Sequence, residues 1–437
     1  MSGESHGLTD VPVAEAGLPV AAATVPASFE WLLACRRVLL LQGPMGPFFS
    51  HLAQRLRSHG AKVWKVNFNA GDDLFYAEGD VIRFRETQAQ WPARLGELVR
   101  TLHIDAIVLF GQTRSWHAEA SAVAQQLGLA LFVFEEGYVR PDYITLELGG
   151  VNAYSTISQD AAFYRQLPPD NVAPPLPTGQ RFRHVMRVAM RYAWATWSGR
   201  RRYPNYRHHR DLCPLTEGPR WWRGAARKWW YRLAERPHAR WVVTPAAHKH
   251  YFLVPLQVHN DSQILHHSPF ADVASFIEAV LQSFARHAPP GTSLVVKHHP
   301  LDRPYNDYAA LLRRRAAALG LTGRVRYVHD LHLPTLIKGA RGVVTINSTT
   351  GLQALYHGTP VVTLGQCLYA LRGLVHQGPL DAFWAAPGTV DDALFQRFRS
   401  HLIRQTQLNG SFYASCPALD EPETEPQATT SAQLRSA

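Results

Sequence analysis

Short apolar runs recur along the chain, each followed by a stretch whose apolar residues return every three to four positions. This alternation predicts strand, helix, strand over most of the length. Arg37-Val38-Leu39-Leu40-Leu41-Gln42 has the pattern of a buried strand, and Phe48 to about His59 that of an amphipathic helix. Lys62 to Phe68 alternates like a strand. A helix near 91–102, a strand from Ala106 to Phe110, a helix reaching about Gln126 and a strand from Ala130 to Phe134 complete a first series. Strands alternating with helices imply a parallel sheet, whose ligands lie beyond the carboxyl ends of the strands. The loops at 43–47, 69–73, 111–117 and 135–141 are therefore expected to share one crevice.

A second series begins near Trp241. Lys249 to Val258 holds a strand and its exit, Phe270 to His287 a helix, Ser293 to Lys297 a strand, Tyr308 to Leu319 a helix and Val325 to Val328 a strand. The β-branched run from Arg341 then ends at Asn347 and Ser348, a helix carrying Leu352 and Leu355 follows, and Gly358-Thr359-Pro360 turns into the run Val361 to Leu364. The predicted fold class is α/β and GT-B-like, with two doubly wound Rossmann-like domains facing a cleft. The expected divisions are a disordered segment 1–33, a first domain 34–177, an insertion 178–240, a second domain 241–400, and a helix end with a disordered tail over 401–437.

The insertion changes the picture most. It carries 15 arginines and one lysine against Asp211, Glu217 and Glu235, interleaved with Trp194, Trp197, Trp221, Trp222, Trp229 and Trp230. Indoles with guanidinium groups suit the headgroup zone of an anionic membrane, so a helical, membrane-contacting insertion is expected. A solvated helical pair with tryptophans packed inward is the alternative. The whole chain, 437 residues at a formal charge of +11, favours acidic partners. Four scattered cysteines, Cys35, Cys213, Cys367 and Cys416, form neither a disulfide framework nor a metal-ligand pattern and fit a reducing compartment. The start lacks the positive region of a secretory signal, and no apolar run approaches the ~18 residues of a membrane span. A cytoplasmic protein, peripheral at the inner face of the cytoplasmic membrane, is the expectation.

Candidate chemistry clusters at strand ends. Glu135-Glu136-Gly137-Tyr138-Val139-Arg140-Pro141 puts two carboxylates after a buried strand. One of them can turn to Arg140 or a helix N-terminus while the other faces the crevice as base or nucleophile. A solvated turn with a surface ion pair is the plainer reading. Lys297-His298-His299-Pro300 ends a strand of the second series. With Asn347, Ser348, Thr349 and Gly351, where backbone N–H groups and hydroxyls can converge on an anion, Lys297 and His299 are expected to neutralise a nucleotide phosphate without a metal. Gly43-Pro44-Met45-Gly46 lacks the Lys-Ser/Thr of a P-loop and the third glycine of a dinucleotide fingerprint, and serves either backbone approach to a substrate or a tight turn. The 22 histidines show no zinc-like spacing, and no Asp-x-Asp pattern is present.

Leu39-Leu40-Leu41-Gln42-Gly43-Pro44 with Phe48-Phe49, Asn67-Phe68-Asn69-Ala70-Gly71-Asp72, the Glu135–Pro141 segment, Phe252-Leu253-Val254-Pro255-Leu256-Gln257 with Asp261-Ser262-Gln263, and Lys297–Pro300 together resemble the capsule polysaccharide biosynthesis family of Gram-negative bacteria. Within it they are most similar to the retaining β-Kdo transferase type, over about residues 37 to 400. The resemblance implies a CMP-Kdo donor substrate, no cofactor, and transfer of a first Kdo to lysophosphatidylglycerol, which starts the poly-Kdo linker of an exported capsule. It places the acidic residue of a Glu-Asp-Gly-Phe motif at Glu136, where Glu replaces Asp, and assigns CMP binding to Gln257, His299 and Pro300. Kdo carries a carboxylate that Arg114 or Arg140 can pair with, and the acceptor is expected near Gly43, Asp72 and Arg114. Glu136 is the expected nucleophile and Glu135 its orienting group or base, with the two interchangeable.

Other readings remain open. They are a related transferase using another CMP- or UDP-sugar on a glycolipid, a non-catalytic lipid-binding component of capsule export, and, least favoured, a nucleic-acid binder. The expected partners of the main reading are the CMP-sugar, the anionic lysophospholipid, the inner-membrane surface and other capsule assembly proteins, with no nucleic acid.

Overall fold

The protein, a computed structural model describing residues 25–77, 79–208 and 213–420, is built on two sheets. Six strands come first: β1 (Arg37–Leu40), β2 (Lys62–Asn67), β3 (Asp80–Arg83), β4 (Ala106–Phe110), β5 (Ala130–Glu136) and β6 (Tyr143–Leu148). Beyond the insertion come β7 (Tyr251–Pro255), β8 (Ser293–Lys297), β9 (Val325–Val328), β10 (Gly342–Thr345) and β11 (Val361–Thr363), and then a last strand, β12 (Gln407–Asn409). The first sheet runs β12-β6-β5-β4-β1-β2-β3 and the second β11-β10-β7-β8-β9. The strands of the second sheet are all parallel, as are β1 to β5 of the first. This mixed α/β architecture with two sheet-containing regions is consistent with a GT-B-like fold.

Both parallel portions wind outward from a central strand, so strand order reverses between β1 and β4 and again between β7 and β10. A crevice opens beyond the strands at such switch points. The loops after β1 and β4 carry Gly43 and Arg114, and those after β7 and β10 carry Gln257, Asn347 and Ser348. Strand burial explains why the fold forms: Leu39, Ile107 and Val133 face one core, Val38, Val108 and Phe132 the other, and Phe252, Val254, Leu294 and Val344 pack against Phe276, Phe284 and Trp384.

Three expectations are corrected. The first sheet is mixed, because β6 runs antiparallel to β5 and β12 antiparallel to β6. Residues 401–437 are not merely a helix end and tail: the helix Asp392–Thr406 returns the chain to the first sheet, where Leu408, Phe412, Cys416 and Ala418 join its core. The segment 1–33 is ordered near its end, where the helix Ala27–Ala34 buries Phe29 and Leu32 in the same core. The remaining parts expected to be disordered, 1–24 and 421–437, lie outside the described residues.

The insertion is helical. Phe182–Ser198 packs on the first domain through Val188, Tyr192 and Thr196, which meet Gly46, Asn69 and Gly71. Pro214–Ala234 packs on the second, against Arg303, Pro304 and Asp307.

Candidate functional site

On the first domain, β5 continues through both glutamates before the chain turns. Glu135 is half-buried, and its carboxylate accepts the Glu136 backbone N–H at 3.0 Å. Burial pushes it up to about 7, against that hydrogen bond and the Arg114 guanidinium, with the Glu136 and Asp261 carboxylates adding to the rise. Glu136 is exposed and lies 4.0 Å from Arg140. The turn that follows is tight: a side chain on Gly137 would run into the Tyr143 carbonyl at 2.1 Å. Gln407 of β12 fixes it, accepting from Tyr138 N at 3.0 Å and Val139 N at 3.2 Å while donating to Thr145 Oγ1 at 3.0 Å.

The second domain faces this edge. His299 feels both Asp261 and, from the first domain, Arg140, while Asp261 is felt by Glu135. Tyr154 sets its ring edge-on to His267 at 4.9 Å across the same divide. Burial lowers His299 to about 4. Its Nδ1 accepts the Leu301 N–H at 3.2 Å, which leaves Nε2 as the protonated nitrogen, a neutral donor. Gln257 and Asn347 lock together, Gln257 Nε2 donating to Asn347 Oδ1 and to Asp261 Oδ2, both at 3.0 Å, and Asn347 Nδ2 donating to the Gln263 carbonyl at 3.0 Å. Ser348 Oγ accepts the Thr350 N–H at 3.2 Å and so caps the short helix Thr350–Tyr356, with Thr349 at the cap position.

The structure thus brings Glu135, Glu136, Arg114 and Arg140 to one rim, and Gln257, His299, Asn347, Ser348 and Thr349 to the other. Pro300 is exposed and opens the short turn after His299. Several expected site residues do internal work. Asp72 is buried, accepting from Phe68 N at 3.0 Å, Tyr192 Oη at 2.9 Å and Gln42 Nε2 at 3.2 Å, and so joins the first domain to the insertion. Gly43 leaves room for the Phe49 ring, which a side chain there would meet at 2.7 Å, and Gly351 leaves room for Tyr369. The Lys297 ammonium is buried and donates to the His329 carbonyl at 2.8 Å. Burial lowers it to about 8, opposed by the Glu235 carboxylate. It secures the 329–330 loop, which Glu235 also holds by accepting the Asp330 N–H at 2.9 Å and bonding His329 Nδ1 at 2.9 Å.

Asp261, Gln407 and the crevice tyrosine Tyr206, whose hydroxyl bonds Gln42 at 2.9 Å, were outside the sequence-derived set. Asp261 lies in the Asp261-Ser262-Gln263 segment, and its place as the cap of the following helix is the signal that sequence offers. Among the described residues no group of three or more His, Cys, Asp or Glu is placed to hold a metal ion, and no helix is long and apolar enough to cross a membrane.

The chain is 41% identical over 388 residues to the capsule polysaccharide export protein KpsS of Escherichia coli, covering 87% of this chain and 98% of that one. It is 39% identical over 390 residues to the capsule polysaccharide modification protein LipB of Neisseria meningitidis serogroup A, covering 88% and 93%. Among solved structures, the β Kdo 2,7 transferase KpsC of Thermosulfurimonas dismutans superposes with a TM-score of 0.42 at 16% identity, covering 84% of this chain and 89% of that one. Residues 105–413 match the family model described as capsule polysaccharide biosynthesis protein, and with two relatives near 40% identity over almost their whole length the chain belongs to that family.

Proposed function

We propose that the protein is a retaining glycosyltransferase that moves Kdo from CMP-Kdo to lysophosphatidylglycerol, starting the poly-Kdo linker of a capsular polysaccharide. The observation that carries this reading is the Glu135–Glu136 pair at the end of β5, set opposite the His299, Asp261 and Asn347 loops of the second domain. Membership of the capsule family and the likeness of the 135–141 segment to the acidic motif of Kdo transferases supply the sugar.

In this reading CMP lies on the second domain. His299 donates its Nε2–H to a phosphate oxygen, and the Gln257–Asn347 pair, held rigid by its own hydrogen bonds, lines the nucleotide beside Ser348. Arg114 takes the Kdo carboxylate. A Glu136 oxygen attacks the anomeric carbon as the bond to the CMP phosphate oxygen breaks and CMP departs with the electron pair. The acceptor hydroxyl then attacks the same carbon from the opposite face, its proton passes to Glu135, and the bond to Glu136 breaks to restore the carboxylate. Two inversions give net retention. Catalysis proceeds without a metal, so activity persists in EDTA.

Mass spectrometry of a reaction holding purified protein, lysophosphatidylglycerol and freshly generated CMP-Kdo tests this. A lipid carrying one Kdo, absent with a folded Glu136→Ala variant, is the expected result. No product across a range of lipid acceptors, with live donor and folded protein, overturns the reading in favour of a Kdo-extending transferase or a non-catalytic export component.

A further inference from the structure

The helix Pro214–Ala234 is inverted relative to a helix of a water-soluble surface. Its protein-facing stripe is polar: Glu217 accepts the Tyr305 hydroxyl at 2.7 Å, Arg227 donates to the Arg303 carbonyl at 2.9 Å, and Tyr231 stacks on the His329 ring at 3.6 Å and reaches Asp307. Gly224 permits this approach, since a side chain there would meet Pro304 at 2.8 Å. The solvent-facing stripe is apolar. Trp222 is 80% exposed and Trp229 67%, and they lie about two turns apart on one face with Leu233, while Trp230, 62% exposed, borders it. Arg223, Lys228 and Arg232 flank these rings, and Glu217 is the sole acid of the helix. The neighbouring helix Phe182–Ser198 repeats the arrangement, with Tyr192 buried and Met190 and Trp194 outward beside Arg187 and Arg191.

Exposed indoles cost solvation unless something apolar receives them. The charge selects the occupant. A second copy would bring one arginine-flanked helix against another with a single acid on each side to offset them, whereas an anionic lipid surface offers phosphates to the arginines and an interfacial zone to the indoles. We infer that the Trp222–Trp229–Leu233 face is the membrane-docking surface, with phosphatidylglycerol-type headgroups as its ligand. The inference rests on the lipid-acceptor reading above for its biological sense, though not for its geometry. Because this helix is fixed to the 303–307 and 329–330 loops, docking through it holds the second sheet's domain at the bilayer surface.

The experiment is co-sedimentation of the full chain with vesicles of phosphatidylcholine alone or with added phosphatidylglycerol, for wild type and for Trp222→Ser/Trp229→Ser. Both side chains are exposed, so the variant retains the fold, which an unchanged thermal transition verifies. The expected result is partitioning to anionic vesicles that weakens with salt and falls about tenfold or more in the variant, while transfer to detergent-dispersed lysophosphatidylglycerol is unchanged. Equal partitioning of the variant overturns the inference. So does a concentration-dependent dimer that the variant abolishes, or retention on RNA with none on vesicles. If wild type transfers no Kdo yet docks through these tryptophans, the transferase reading fails and the docking surface stands.

Discussion

Glu135 and Glu136 are neighbours in sequence, yet successive strand residues point to opposite sides, and their surroundings differ accordingly. With its proton affinity raised to about 7, Glu135 changes charge in the range where an enzyme works. As base it must be ionised, so turnover is expected to climb through about pH 7, and Glu135→Gln to be slow with that limb absent. An unaltered limb in the variant would assign the titration elsewhere. Stability moves oppositely. A carboxyl whose folded pKa is raised binds its proton better when folded, so its contribution is complete below its ordinary value near 4.5 and is lost as pH rises through about 7. Glu135→Gln, permanently neutral, should therefore exceed wild type in thermal stability at pH 8, by an amount on the order of 2 kcal/mol, and match it near pH 4. Across the cleft, the proposed mechanism uses a neutral His299 as a donor and not as a cation. His299→Gln, which keeps an N–H, should retain more activity than His299→Ala, both raising KM for the donor sugar; equal loss in both would assign His299 to shape alone. Sequence reasoning sets His299 beside Lys297 at the rim; what it does not reveal is that the Lys297 ammonium is buried and donates to the His329 carbonyl, because strand alternation carries no record of which loop packs over a strand end.

The secondary structure elements were legible where the pattern was long. The strands from Ser293 to Lys297 and from Val325 to Val328 fall where alternation predicts, because buried strands between helices leave few other solutions. The antiparallel edge escaped notice. β6 begins just after the acidic turn, whose polar residues mask a strand, and β12 is a three-residue Gln-Leu-Asn segment whose propensity is set by its partner and not by itself. Yet β12 supplies Gln407, fully buried, whose amide oxygen receives two backbone N–H groups of the turn after Glu136. On the proposed mechanism Gln407 acts as a positioning residue. Gln407→Ala removes the acceptor of the Val139 N–H and leaves the Tyr138 N–H with Thr145 Oγ1 at 3.2 Å, at a cost of about 1–3 kcal/mol. It should lower kcat with little change in KM, and Gln407→Glu, which keeps the acceptor oxygen, should recover part of kcat. A uniform loss in both variants that follows thermal stability would make Gln407 structural only.

At the scale of the molecule, the helix Asp392–Thr406 carries the chain from the second sheet back to the first, so the Gln257–Asn347 rim and the acidic rim are joined by covalent structure at the sheet edge as well as by the insertion. On the proposed mechanism the two rims nonetheless carry separable tasks. The Gln257–Asn347–Asp261 set is complete within the second domain and needs no residue of the first for its hydrogen bonds. The proposed function then predicts that this set binds a nucleotide before the acidic rim takes part. A ligand that binds the folded state alone stabilises it by about 2.7 kcal/mol at a hundredfold excess over Kd, so saturating CMP is expected to raise the thermal transition by several degrees. That rise should survive Glu136→Ala and Arg114→Ala and vanish in Asn347→Ala, measured on the same full-length chain by differential scanning fluorimetry. If Arg114→Ala abolishes the rise while Asn347→Ala keeps it, the nucleotide sits on the first domain and the division of labour is reversed. Equal loss in all three variants would mean that CMP closes the cleft by binding both rims at once, and the assignment of separate tasks would fall.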